Sequence, residues 1–404
     1  MKGLRIAGAA LFAVLIFGAG IWGGIFIDRT NSNVIAVSPD QKVDFQLINQ
    51  AWSLIHQNYV DQSAVKDQTL TYGAISGMVD SLGDTGHSIF RTPDQIKEDN
   101  IHIQGNYGGI GTTVGSKNGN VVIVAPMDGS PAQKAGLQSG DIIVSIDGQT
   151  ITSVTDAVSH IRGPAGTSVT LTILESSGTT RTVTLVRAII TIVSVTWNIL
   201  PGTSIAHLHL ASFSTNATGE LDTALAAIKA QGATGIILDL RDNPGGTLDQ
   251  AVGVTSRFIN SGNVMQERDI NGKITVIPVV TGVPVTTLPM VILVNEGTAS
   301  AAEIVTGALG DAGRAKSIGE TTFGTGTVMT QFPLSDGSAL MLAIQEWLTP
   351  SGKTIWHTGL TPDTVVPLAT GVAPLFPQAE KGLSQAQIQA SGDQQLLDAI
   401  GMFP

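Results

Sequence analysis

The chain contains no cysteine among its 404 residues, which excludes disulfides, thiolate zinc sites and cysteine nucleophiles and suits a protein exported to an oxidising compartment. Charge is scarce at 13% and aromatics are scarcer at 5%. With hydrophobic residues at 42%, this is the balance of a globular chain, not of a disordered one. Cations are the smaller part of that charge: 21 Lys and Arg against 32 Asp and Glu, for a formal net charge of −11. Such a balance has nothing to neutralise phosphates, so nucleic acid is excluded as a partner. What the sequence has in quantity is glycine, 47 residues, suited to turns and strand ends where the backbone passes through positive φ. The length exceeds one ordinary core, and two or three folded units are expected.

A long uncharged, mostly apolar run, Ile6 to Ile27, opens the chain behind Lys2 and Arg5 and is closed by Asp28 and Arg29. At about 1.5 Å per residue it is long enough to cross about 30 Å of hydrocarbon. Lys2 and Arg5 outnumber Arg29, which predicts a single-pass anchor with its short N-terminus in the cytoplasm and the body outside. A cleaved signal peptide is the rival, leaving a secreted or periplasmic protein once residues 1–30 are removed; its apolar region is usually shorter. In both readings the body is outside the cytoplasm. Thr30 to Gln41 is polar, carries Pro39 and reads as a linker.

Three patterns follow. Over 43–103 apolar residues recur at helical spacing, with Phe45, Ile48, Trp52, Ile55 and Tyr59 in one stripe and Leu70, Ala74, Met78 and Leu82 in another, predicting a small helical unit. Over 104–190 short β-branched runs such as Val121–Val124, Asp141–Ile146 and Val169–Ile173 alternate with turns, and Pro131–Leu137 and Thr155–Ile161 read as short helices. Over 191–368 strand and helix alternate: strands at Ile205–Leu210, Gly235–Leu240 and Met290–Val294, helices at Gly219–Ala230, Leu248–Ile259 and Ala299–Ala312, and a further strand at Met341–Leu348. Continuous apolar strands between helices predict a mainly parallel sheet covered on both faces. Residues 369–404 read as a Gln- and Ala-rich tail with one amphipathic stretch near Gln394 to Ile400. The expected fold class is therefore multidomain α/β: a transmembrane segment, a small helical unit, a β module and an α/β core.

Asn106-Tyr107-Gly108-Gly109-Ile110-Gly111 resembles the carboxylate-binding loop of a PDZ domain, and Ser130-Pro131-Ala132, Ala135-Gly136-Leu137 and Gly140-Asp141-Ile142-Ile143 resemble the helix, turn and strand that follow it. Amides at Gly109, Ile110 and Gly111 can form a nest for a terminal carboxylate, and the adjoining strand edge can pair with an extended peptide. In the core, Asp239-Leu240-Arg241-Asp242-Asn243-Pro244-Gly245-Gly246 and Val291 through Glu296-Gly297-Thr298-Ala299-Ser300-Ala301-Ala302-Glu303-Ile304 are similar to the signatures of the C-terminal processing (tail-specific) peptidases, serine peptidases with a PDZ domain. Segments 319–324, 333–338 and 349–353 match in the same order. A serine between a strand and a helix N-terminus is placed to attack a carbonyl and to have the resulting charge stabilised; the same position also suits a plain helix cap. The resemblance implies that Ser300 is the nucleophile, that the amides of Ala301 and Gly245 are oxyanion donors, and that Glu303 is a supporting polar residue. It implies protein or peptide substrates with accessible C-termini, and no metal or other cofactor.

The resemblance breaks at one place. Most members carry a catalytic lysine between two glycines after the phenylalanine; here Phe323-Gly324-Thr325-Gly326 holds threonine there, and Met329 stands where a glutamine is expected. A threonine hydroxyl cannot serve as a base near neutral pH. His87, in Gly83-Asp84-Thr85-Gly86-His87-Ser88, is the first candidate to activate Ser300, because a histidine in a comparable turn resembles the tricorn-type branch of the superfamily; an imidazole has a suitable pKa. His357 is the second candidate, as base or as a group orienting it. Lys353 reads as structural or substrate-facing. His207 and His209, two apart on one strand, lack a third ligand and read as ordinary strand residues. Two other functions stay open: a catalytically inactive PDZ scaffold that only binds peptides, and a core that binds a small hydrophobic ligand, against which the peptide groove speaks. No oligomeric state is read from the sequence.

Overall fold

The computed structural model describes residues 44–84, 87–117, 119–127, 129–175 and 178–403. The run Ile6–Ile27, expected to cross or address a membrane, lies outside them. Among the described residues no helix is long and apolar enough to span a bilayer. The chain divides into two compact units, with the boundary between Thr71 and Tyr72.

In the first unit, helix Phe45–Asn58 begins at Asp44, whose carboxylate accepts the Leu47 N–H at 3.1 Å, satisfying one donor that a helix start leaves open. Phe45, Ile48 and Ile55 of the expected stripe are exposed on it.

The second unit contains the β module. Strands Thr112–Lys117, Asn120–Pro126, Ile142–Ile146, Ser168–Leu174 and Thr180–Val186 lie side by side in that order. Alternation does the sorting: Val169, Leu171 and Ile173 are fully buried while their neighbours are not, as a strand with one face on a core requires. Helix Val154–Ile161 starts at Ser153, which accepts the Asp156 N–H at 3.1 Å, and adds Ala157 and Ile161 to the same core. A ribbon of Asn106–Gly109 with Ala188–Thr191 closes the base of the module, joining its two ends.

The α/β core is a six-stranded sheet in the order Val195–Ile199, Ile205–Leu210, Gly235–Asp239, Met290–Val294, Lys316–Gly319, Thr364–Val365. The first pair is antiparallel and the rest are parallel. Every residue of the second, third and fourth strands is buried, because both faces are covered. Ile236, Leu238 and Ile292 pack on the layer of helices Ala217–Ala230, Leu248–Thr255 and Ala301–Asp311. Ile237, Val291 and Leu293 face Ile388, Leu396 and Ala399. The second layer is therefore the C-terminal segment, expected as a tail, which forms helices Pro377–Glu380, Gln385–Gln389 and Gln394–Gly401.

Buried charge fixes that segment to the sheet. His207 is fully buried between Asp239, 3.0 Å from its Nε2, and Glu380, 2.5 Å from its Nδ1. Arg241 forks onto Asp239 and reaches Asp393 at 2.9 Å. Burial alone would lower the His207 pKa, but the hydrogen bonds and charges of Asp239 and Glu380 outweigh it and raise it to about 9. His209 stacks on Phe376, with centroids 4.1 Å apart. Read from sequence as ordinary strand residues, the two histidines are structural, and His207 is the centre of an ion network.

A second, antiparallel sheet carries Ile89–Arg91, Ala339–Leu348, Asn263–Arg268 and Ile274–Pro278, with Thr327–Pro333 along the other side of Ala339–Leu348. Ile89–Arg91 falls within the stretch expected to be helical. Three residues are too few for a strand period to be read, yet they pair with Ala339–Met341 and so bring the turn before them, with His87, onto the core.

Candidate active site

Two loops leave adjacent parallel strands, Gly235–Asp239 and Met290–Val294, at the same end, and they are stitched together. Asn295 accepts the Asp242 N–H at 2.9 Å and donates to the Asp242 carboxylate at 2.7 Å, while the Ala299 N–H donates to the Asn243 carbonyl at 2.9 Å. Gly245, at φ +98°, lies against Ser300: a Cβ there would meet Ser300 Cβ at 2.7 Å and the Ala301 nitrogen at 2.9 Å. Only glycine permits that approach.

Ser300 has φ +53° and ψ −118°, a conformation costing a non-glycine residue about 1–3 kcal/mol. The surroundings hold it there. The Ser300 N–H donates to Glu303 Oε2 at 2.9 Å and to Thr325 Oγ1 at 3.1 Å. Glu303, fully buried, also accepts from Thr322 Oγ1 and from the N–H groups of Gly324 and Thr325. Burial pushes its carboxyl pKa up, against the lowering effect of these hydrogen bonds. Glu303 thus ties the serine turn to the loop where lysine is replaced by Thr325. Behind Ser300 begins helix Ala301–Asp311, and among the described residues the Ala301 N–H has no acceptor, leaving it open for an oxyanion. The Gly245 N–H differs from expectation: it donates to Asn243 Oδ1 at 2.8 Å and must leave that partner to serve an oxyanion. Beside Ser300 a cavity of about 150 Å³ is lined by Leu248, Met265, Ile304, Val328 and Trp347.

His87 and His357, more than 250 positions apart in sequence, meet edge to face with ring centroids 4.8 Å apart. His87 also lies 5.3 Å from the Phe323 ring. His357 is fixed by its N–H to the Gly324 carbonyl at 2.9 Å, and Gly326 has room only for a hydrogen against the Trp356 backbone. The His87 ring and the His357 backbone therefore both lie against the 323–326 loop whose Thr325 touches Ser300. Ser300 Oγ and the His87 ring are not joined by a hydrogen bond.

Asp84 completes the cluster and was not singled out from sequence; its position three residues before His87 was the available signal. Its Oδ2 accepts from the Ser88 N–H at 3.0 Å and the Ser88 hydroxyl at 2.6 Å, while Oδ1 accepts from Trp356 Nε1 at 3.1 Å. Ser88 in turn accepts the Ala343 N–H at 3.1 Å, tying the turn to the second sheet. Burial lowers the His87 pKa; the Asp84 charge opposes this and His357 adds to it. Below the ordinary value of about 6.5, the ring is a neutral proton acceptor at pH 7.

In the β module, Gly111 lies against Ser130 so closely that a Cβ would meet the serine Cβ at 2.5 Å, and the Ile110 carbonyl accepts the Ala132 N–H at 2.8 Å. Among the described residues the N–H groups of Ile110 and Gly111 have no acceptor. They precede Thr112–Lys117, an edge strand open to β-addition.

A strained serine between strand and helix, beside a module with a free carboxylate nest, is the arrangement of a serine hydrolase that handles peptide chains. Comparison with known proteins gives the family. Residues 204–366 match peptidase family S41, 122–175 a PDZ domain and 27–90 the N-terminal domain of the activating protease CtpB. The carboxy-terminal processing protease CtpA of Bacillus subtilis is 36% identical over 87% of this chain and 76% of its own. A carboxyl-terminal-processing protease of Synechocystis is 34% identical over 88% and 87%. The solved photosystem II D1 C-terminal processing protease covers 85% of this chain and 99% of its own, at 28% identity and a TM-score of 0.48. The chain belongs to the carboxy-terminal processing proteases of family S41, serine-type peptidases with a PDZ domain.

Proposed function

We propose that the protein is an active endopeptidase outside the cytoplasm, anchored through residues 6–27, that captures C-terminal segments of protein substrates and cleaves with Ser300 as nucleophile and His87 as base. The observation that carries this reading is the meeting of His87 and His357 on the loop that places Thr325 against Ser300.

A substrate's terminal carboxylate docks on the Ile110 and Gly111 amides, and its chain extends along the edge strand. An apolar side chain of the substrate fills the cavity beside Ser300 and positions a backbone carbonyl. His87 takes the Ser300 hydroxyl proton as Oγ bonds to the carbonyl carbon. The oxyanion is held by the Ala301 N–H, and by the Gly245 N–H once it turns from Asn243. Collapse of the intermediate breaks the C–N bond, His87 returns the proton to the leaving amine, and water then hydrolyses the ester by the same route. Asp84 and His357 orient His87 and set its pKa; Glu303 positions the serine turn and touches no reacting atom. Since Ser300 Oγ and His87 are not hydrogen-bonded here, the reading requires substrate to draw them together, as catalytic hydrogen bonds often tighten only in the complex.

Hydrolysis of β-casein by the full chain in detergent tests this, alongside Ser300→Ala and a substrate amidated at its C-terminus. Expected are cleavage by wild type, none by the variant, and a higher KM for the amide. A folded wild type that binds free C-termini but cleaves nothing would support the inactive peptide-binding scaffold instead.

A further inference from the structure

We propose that Asp84, His87 and His357 form a binding site for a first-row divalent cation, with Zn2+ the best match. Asp84 Oδ1 and His357 Nε2 are 3.5 Å apart, and one ligand atom from each of the three residues lies within 4.8 Å of the other two. Ligands about 2.0–2.2 Å from a tetrahedral zinc stand roughly 3.3–3.6 Å from one another. The Asp84–His357 edge already has that spacing, and a small movement of the His87 ring closes the site.

Two histidines beside a carboxylate also describe an ordinary ion pair, so spacing alone decides nothing. The second observation is the His87 Nδ1 atom, which is buried and has no hydrogen-bond partner among the described residues, on a residue only 5% exposed. Leaving such an atom unpaired carries the full cost of its desolvation. A cation held by the ring fixes which nitrogen carries the proton and gives the cluster the partner it lacks. The supporting shell is in place: Asp84 is oriented by Ser88 and Trp356, and His357 by Gly324. Fixing a carboxylate and an imidazole in advance in this way is how metal sites gain affinity. Imidazole donors favour Zn2+ over Mg2+ or Ca2+. His357, with 47% of its side chain exposed, gives access from solvent, and three protein ligands leave a fourth position open. Occupancy takes the His87 lone pair away from Ser300, so Zn2+ inhibits hydrolysis; that consequence, unlike binding itself, rests on the peptidase reading above.

The test is calorimetric titration of the full, untagged, metal-free chain with ZnCl2, together with the visible absorption of the Co2+-substituted protein. One site per chain and a Co2+ ligand-field band are expected. Affinity should weaken at least about 10- to 100-fold, the scale of losing even an outer-shell partner, in His357→Ala and in Asp84→Asn. His357 is exposed, and asparagine keeps the shape of Asp84; unchanged thermal unfolding checks both folds. Absence of the band, or equal Zn2+ affinity in wild type and both variants, overturns the site. Casein hydrolysis with and without Zn2+ is read separately. Binding without inhibition keeps the metal site and removes His87 from the reaction. Absence of hydrolysis in the metal-free wild type counts against the peptidase reading alone, while the titration still decides the site.

Discussion

His207 and His87 are both nearly inaccessible, at 0% and 5% exposure, yet the protein treats them in opposite ways. His207 has a carboxylate on each nitrogen and its pKa is raised to about 9. His87 has a buried nitrogen with no partner among the described residues, a second histidine against its ring, and a lowered pKa. One histidine is held as a cation and joins the C-terminal segment to the sheet; the other is held neutral at pH 7 against the 323–326 loop. Burial alone does not decide a histidine's charge: carboxylates on both ring nitrogens raise the pKa of His207, while desolvation lowers that of His87.

The strongest way to break this comparison is to remove each ring. His87→Ala is expected to lower kcat/KM on β-casein by about 10²–10⁴-fold, the range of a lost acid–base group, with thermal unfolding unchanged. A large loss of stability with activity per folded molecule intact would make His87 a structural residue as well. His207→Ala should do the reverse. It leaves the Asp239 and Glu380 carboxylates buried without the cation between them and should cost about 3–5 kcal/mol in urea unfolding; an unchanged midpoint would show that the network contributes nothing.

Glu303→Gln comes next. It replaces one of two carboxylate oxygens, which between them accept from Ser300, Thr325, Thr322 and Gly324, with an amide NH2 that cannot accept, and should cost about 1–3 kcal/mol. If Glu303 positions the serine turn, kcat falls more than KM; equal changes in both would argue against that role.

Smaller effects sharpen the contrast through pH. The folded-state pKa of His207 is above its unfolded value, so its contribution to stability is complete below about pH 6.5 and is lost as pH rises toward about 9. Thermal midpoints should accordingly decline over that window. His87 must be neutral to accept a proton, so kcat/KM should fall on acidification through its lowered pKa. Asp84→Asn removes the charge that opposes the lowering, and should move that acid limb to still lower pH. An acid limb moving upward would mean that another group titrates.

The sequence made much of the fold legible. Ile205–Leu210 and Met290–Val294 are the strands expected, to the residue, because continuous apolar runs bounded by turns leave little choice. The amphipathic stretch near Gln394 to Ile400 is the helix Gln394–Gly401, whereas the strand Ile89–Arg91 and the helices Pro377–Glu380 and Gln385–Gln389 were missed for a common reason. Each is short, and what stabilises it lies far away in the chain: the Ala339–Met341 backbone for the strand, and for the C-terminal segment the buried His207 and Arg241, which pair with Glu380 and Asp393. Ser300 was marked by the residues around it. His87 and His357 could be offered as candidates from residue type, but their meeting depends on that same three-residue strand, and Asp84 carried no mark except its spacing.

The central claim is that His87 activates Ser300 in place of the absent lysine. Its most direct test is the rate at which a fluorophosphonate labels Ser300, measured across pH in wild type and His87→Ala. The account predicts labelling that falls on the acid side in wild type and is slower by about 10²-fold or more in the variant at neutral pH. Labelling at the wild-type rate in His87→Ala, with Ser300→Ala unlabelled, would contradict it and leave the serine to some other base.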